Sequence, residues 1–125
     1  MGNQGRLTVE LRNRTKAFAA GVIRVFVKLP KHKVEVAVIG KQLLRSGTSV
    51  AAHVREASRS RSANEFTSKL GGAAQEADES LLWLELLREE CGISPILTSP
   101  LENEASELIA IFVRMVNKTK GKADE

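Results

Sequence analysis

Residues 34–60 read VEVAVIGKQLLRSGTSVAAHVREASRS. Val36, Ile39, Leu43, Gly47, Val50, Val54 and Ala57 recur at intervals of three or four. That interval places them on one stripe of a helix with about 3.6 residues per turn. Gly47, Ala51 and Ala57 are small, so a neighbouring backbone can approach. Glycine costs about 1 kcal/mol against alanine inside a helix, and close packing is the expected return at Gly47. The same segment has two polar faces. Lys41, Arg45, Arg55 and Arg59 fall within about 80° of one another and form a basic stripe. Gln42, Ser46, Ser49, His53, Glu56 and Ser60 occupy an arc rotated by about 100°, adjoining the apolar stripe. Its serines and Gln42 are therefore expected half-buried and hydrogen-bonded.

Reading outward, three more helices appear and no convincing strand. The first covers about residues 8–29, with Leu11, Thr15, Phe18, Val22, Val25 and Leu29 on one face. Pro30 stops it, because proline cannot donate the ladder hydrogen bond. The third covers 63–91 and opens on a capping box, Ser62 with Glu65. Phe66, Leu70, Ala73, Ala77, Leu81, Leu84 and Leu87 follow, and Gly92 is the expected stop. The fourth is placed at 100–118, starting from Ser99-Pro100-Leu101-Glu102: a capping serine, a proline at the first helical position and a capping-box glutamate. Leu101, Ala105, Leu108, Phe112 and Met115 form its stripe. Residues 1–7 and 119–125 are expected to be flexible ends.

Four long helices joined by short loops predict a single all-α domain, an up-down-up-down antiparallel four-helix bundle. The 125 residues suffice for one core without disulfide staples. The single cysteine, Cys91, excludes an internal disulfide framework and a cysteine-cluster zinc site. No apolar run reaches the roughly 18 residues of a membrane span. The opening residues, MGNQGRLTVE, lack the apolar core of a signal peptide, so a cytoplasmic protein is expected. Leu82, Trp83 and Leu86 lie off the main stripe of the third helix, as do Ile109, Val113 and Val116 on the fourth. One small bundle has one core, so these surplus residues are expected between subunits of a homo-oligomer.

The net charge of +4 conceals a segregation. Residues 28–61 carry eight basic and two acidic residues, whereas residues 62–113 carry two basic and ten acidic. The basic half suits phosphate; it equally suits the acidic half, within or between subunits. On the first alternative, Lys41, Arg45, Arg55 and Arg59 contact phosphates, with Lys31 and Lys33 at the rim. No base-reading residues are evident, so weak, salt-sensitive, sequence-tolerant binding is expected. On the third helix, Glu65, Gly72, Glu76, Glu79 and Trp83 share one flank. Glu76 and Glu79 are expected to accept from Arg45, Arg55 or a facing serine, fixing helix or subunit register. Carboxylates three apart also suit acid–base or metal chemistry. Bundle metal sites, however, add Glu-x-x-His pairs from other helices, and His53 precedes Glu56 in the reverse order. No enzyme activity and no cofactor are therefore expected.

The stretch from Gln42 to Ala57, QLLRSGTSVAAHVREA, resembles the Q-L-x-R-S-x-x-S-x-x-x-N-x-x-E-A signature of the bacterial four-helix bundle proteins, also called 23S rRNA intervening-sequence proteins. Glu76-Ala77-Asp78-Glu79-Ser80-Leu81-Leu82-Trp83-Leu84 resembles the second motif of that family. Residues 14–19 and 108–112 fit its first and last helices. The resemblance implies a four-helix bundle that tends to form ring-like homopentamers. It also implies a binding or assembly role, since a related branch includes the accessory protein of diversity-generating retroelements, which binds reverse transcriptase and nucleic acid. RNA or a nucleic-acid enzyme is thus the implied partner, the alternative being a purely structural interaction module. His53 stands where the family usually has asparagine. Protonation of His53 beside Glu56 is the pH-dependent element that this departure suggests.

Overall fold

The computed structural model describes the backbone of residues 2–124 and the side chains of residues 8–121. Four helices account for nearly all of it: α1 (Gly2–Lys28), α2 (Val34–Ser58), α3 (Ala63–Glu89) and α4 (Pro95–Asp124). No strand occurs among the described residues. Successive helices run antiparallel and pack as neighbours, while α1 and α4 touch along a short stretch only. No helix among the described residues is long and apolar enough to cross a membrane.

The predicted apolar stripes meet in one core. Leu11, Phe18, Val22, Val25 and Leu29 of α1 are buried against Val36, Leu43, Val50, Val54 and Ala57 of α2. Phe66, Leu70, Ala73, Ala77, Leu84 and Leu87 of α3 close on Ala105, Leu108 and Phe112 of α4. Thr15 is fully buried, and its hydroxyl donates to the Leu11 carbonyl at 2.8 Å, which satisfies it without a partner helix. The small residue of α2 does what its size predicts. A Cβ on Gly47 would sit 2.8 Å from Val22 Cγ2, so α1 and α2 are in close contact there.

Helix boundaries follow local chemistry. Ser62 caps α3, its hydroxyl accepting from the Glu65 amide at 3.0 Å. Gly92, at φ +69°, takes the left-handed conformation that turns the chain after α3. Ile93 then buries its side chain and donates its amide to the Leu87 carbonyl at 3.0 Å.

Two expected boundaries are corrected. Helix α4 starts at Pro95, five residues before the predicted proline. The chain carries the serine–proline start signal twice, and Ser94-Pro95 is the one used. The Ser94 hydroxyl accepts from the Ile96 amide at 3.2 Å, and the Ser94 carbonyl accepts from the Leu97 amide at 3.0 Å. Burial of Thr98 and packing of Leu97 on the core hold this extra turn. Pro100 is left inside the helix, where it removes the bond to the Ile96 carbonyl. Ile96 is 85% exposed, so water can take that carbonyl. Glu102, read as a capping-box residue, instead meets Arg88 of α3. The second correction concerns the outer helix bounds: α1 begins at Gly2 rather than near residue 8, and α4 continues to Asp124 rather than stopping near residue 118. Thr119 adds a local bond there, its hydroxyl donating to the Met115 carbonyl at 2.8 Å.

Candidate nucleic-acid interface

The outer face of α2 is built by the phase of its own core. With Val36, Leu43, Gly47, Val50 and Val54 buried, residues half a turn away must face outward. Lys41, Arg45, Arg55 and Arg59 are all exposed there. Lys41, Arg55 and Arg59 make no ion pair among the described residues. Lys33, also exposed, is the N-cap residue of α2 and makes no side-chain capping bond. At 1.5 Å per residue, Lys41 and Arg59 are about 27 Å apart along the axis.

At its C-terminal end the stripe runs into a groove of about 550 Å³ between α2 and α3. Ala52, Arg55, Glu56, Arg59, Arg61, Glu65 and Lys69 line it. Arg61 and Lys69 were not among the residues singled out from sequence. Arg61 sits in the turn and Lys69 on α3, so only the fold brings them beside Arg55 and Arg59. The two carboxylates are already engaged. Glu56 takes the Lys69 ammonium at 2.9 Å, a contact that holds its carboxyl below the usual range. Glu65 accepts from the Arg61 backbone amide at 3.3 Å. The three arginine side chains remain available to an anion.

The α2–α3 seam carries a polar network built on Arg45, Glu76, Glu79, Ser46 and Ser80. Arg45 reaches Glu76 at 3.3 Å and Glu79 at 3.4 Å. The neighbouring Glu76 carboxyl, with partial burial, pushes the Glu79 carboxyl above its usual value. Glu76 is 12% exposed and Glu79 44%. Beneath them Ser46 and Ser80, both fully buried, share a hydrogen bond of 2.8 Å. Each hydroxyl also reaches a backbone carbonyl, Ser80 that of Glu76 at 2.8 Å and Ser46 that of Leu43 at 3.3 Å. Ser80 was missed from sequence because nothing local marks it as the partner of Ser46. Ser49 is half-buried, whereas Gln42, expected half-buried, is exposed. No group of three or more His, Cys, Asp or Glu side chains suited to a metal forms among the described residues.

His53 lies flat against α3. A Cβ on Gly72 would come 3.0 Å from His53 Cε1, so the glycine makes room for the ring. His53 Nδ1 is shielded from solvent without a hydrogen-bond partner, and stands 3.9 Å from Glu56 Oε2. Glu56 is turned to Lys69 instead.

Three other expectations are placed differently by the fold. Lys31 caps α1: its ammonium donates to the carbonyls of Phe26 at 2.8 Å, Val27 at 3.2 Å and Leu29 at 3.2 Å, and lies 4.8 Å from the Phe26 ring centroid. Trp83 packs against the chain's own core, its indole N–H screened from solvent. Ile109 and Val116 are likewise partly buried on that core, which leaves Leu82 and Val113 as the exposed members of the surplus set. Ion pairs not foreseen from sequence tie the helices together. Arg14 of α1 binds Glu104 and Glu107 of α4, and Arg88 of α3 holds Glu102 of α4 through two bonds of 2.9 and 3.0 Å.

No curated protein matches the chain. Among solved structures, it is similar to a protein of unknown function from the S23 ribosomal protein family of Bacteroides thetaiotaomicron. The two share 28% identity and superpose with a TM-score of 0.78, over 88% of this chain and 97% of that one. The sequence pattern of the 23S rRNA-intervening sequence proteins matches residues 8–114, from the second turn of α1 to the last third of α4. The match takes in the basic stripe, the serine pair and the carboxylate flank, and the chain belongs to the 23S rRNA-intervening sequence protein family.

Proposed function

We propose that the chain is a non-enzymatic, cytoplasmic, self-associating bundle that presents the outer face of α2 to RNA or another polyanion. The observation that carries this reading is the state of the stripe. Lys41, Arg55 and Arg59 point outward without an ion-pair partner among the described residues, and Arg61 joins them at the α2–α3 groove. Arg45 belongs to the same stripe but is already neutralised by Glu76 and Glu79. Use of the carboxylate pair to hold an arginine supports a structural role for it rather than a catalytic one. Exposed apolar side chains at Val34, Val38, Leu82 and Val113 support association between copies.

A filter-binding titration tests the reading. Each phosphate neutralised contributes a slope of about −0.9 in log affinity against log salt for a duplex, and about −0.7 for a single strand. Replacing Lys41, Arg55 and Arg59 together by alanine is expected to flatten that slope and weaken binding. Binding insensitive to salt, or unchanged in the triple variant, refutes the proposal. The Arg45 contact also favours a second reading, in which α3 carboxylates of one copy dock on the α2 stripe of another. That reading predicts the triple variant to dissociate the oligomer, with no nucleic acid bound by the parent chain.

A further inference from the structure

The ligand class can be narrowed from what the basic face lacks. Proteins that hold unpaired strands combine a cationic groove with aromatic side chains on which bases stack. This chain has five aromatic side chains, four phenylalanines and one tryptophan, and no tyrosine. Phe18, Phe66 and Phe112 are buried in the core. Phe26 and Trp83 are packed against it, Phe26 with the Lys31 ammonium over its ring. None stands on the outer face of α2 or lines the α2–α3 groove. An unpaired base laid on this surface meets no phenylalanine or tryptophan, and the His53 ring on α2 is packed against Gly72.

What the face does offer is a straight, stiff row of charge. Lys41 stands toward one end and Arg55 with Arg59 at the other, about 24 Å away along the α2 axis, while Arg45 beside Lys41 is taken by Glu76 and Glu79. The outward residues between the two ends are Thr48 and Ala52. The Thr48 hydroxyl is folded back onto the Leu44 carbonyl at 2.8 Å, so nothing projects between the two ends. A broad, rigid polyanion can lie flush across both. A flexible strand must be ordered to do so, with no phenylalanine, tyrosine or tryptophan stacking in return.

Resting on the polyanion reading above, we infer that α2 and the Arg59–Arg61 corner recognise the paired, helical backbone of a nucleic-acid duplex rather than a single strand. Recognition is through phosphate and shape, with bases left in their stack.

The test is competition binding to the whole chain. The probes are an RNA duplex, a DNA duplex, and a uridine-rich single strand of equal nucleotide number. At moderate salt a duplex is expected to bind at least about tenfold tighter than the single strand, because only it matches rigid, closely spaced charge. With four cations engaged, the duplex slope is expected near −3.6. Arg59→Ala with Arg61→Ala is expected to reduce it by roughly 1.8. The preferred duplex identifies the sugar, and a preference for either duplex supports the inference. A single strand that binds as tightly as both duplexes overturns it while leaving the polyanion reading intact. Failure of all three probes to bind overturns both.

Discussion

Replacing Gly47 by alanine puts one methyl group where α1 and α2 cross. Its carbon would lie 2.8 Å from Val22 Cγ2, 2.9 Å from Val22 Cγ1 and 3.1 Å from Val22 Cβ. Val22 is fully buried and β-branched, so its χ1 is held by its own helix and cannot swing away. The helices must therefore move apart by several tenths of an ångström. Overpacking of this kind costs about 1–3 kcal/mol. Helix propensity returns about 1 kcal/mol, leaving a net loss of about 1 kcal/mol. Gly71 provides the control. It lies in the interior of α3 with nothing within 4 Å of a built Cβ. Gly71→Ala meets no clash and is expected to stabilise by about 1 kcal/mol. For a chain of this size each shift moves Tm by about 4 °C, in opposite directions. Thermal and urea unfolding followed by far-ultraviolet circular dichroism, at one fixed protein concentration, measures both. Val22→Ala removes the 2.8 and 2.9 Å contacts and leaves only Cβ at 3.1 Å, so in that background the cost of Gly47→Ala should largely disappear. If Gly47→Ala raised Tm as Gly71→Ala does, or had the same effect with and without Val22, the close-crossing argument would fail.

Other expectations are simpler. Ser46→Ala or Ser80→Ala should each cost about 1 kcal/mol, and the double variant less than the two together, because the bond they share is lost only once. Arg88 holds the Glu102 carboxyl below its ordinary value, so that group stabilises the fold at neutral pH, with the contribution lost as pH falls through its lowered pKa. Glu102→Gln should therefore cost about 1–2 kcal/mol near pH 7 and little at low pH, in urea melts across pH. Glu79 has the opposite sign. Its carboxyl is raised by Glu76, so its contribution is present at low pH and lost as pH rises through the raised pKa. Glu79→Gln should accordingly leave stability at pH 7 unchanged or higher, and a clear loss there would contradict the shared-carboxylate geometry. Lys31→Ala should cost about 0.5–1 kcal/mol through the end of α1 while leaving the salt slope for nucleic acid unchanged.

Most of the bundle was legible before any coordinates. Periodicity marked Val22, Leu43, Val54, Leu84 and Phe112 as core, and each is buried. The Ser62–Glu65 cap and the Gly92 stop were legible for the same reason: a helix end is decided by hydrogen bonds and φ values within a few residues. The basic stripe and its outward direction also follow from the phase of one helix. The Arg45 contact with Glu76 and Glu79 was anticipated, since both sets flank facing cores.

Four helices, their buried faces and the segregation of charge were thus determined by sequence alone, because each depends on spacing along a single segment. Contacts between segments were not. The choice of Ser94-Pro95 over Ser99-Pro100 was made by the burial of Thr98 and by Glu102 meeting Arg88. The pairing of Ser46 with Ser80, the capping by Lys31 and the gathering of Arg61 and Lys69 beside Arg55 needed a register between helices. Register is set by many packed side chains at once, such as Val22 against Gly47, and no local pattern encodes it.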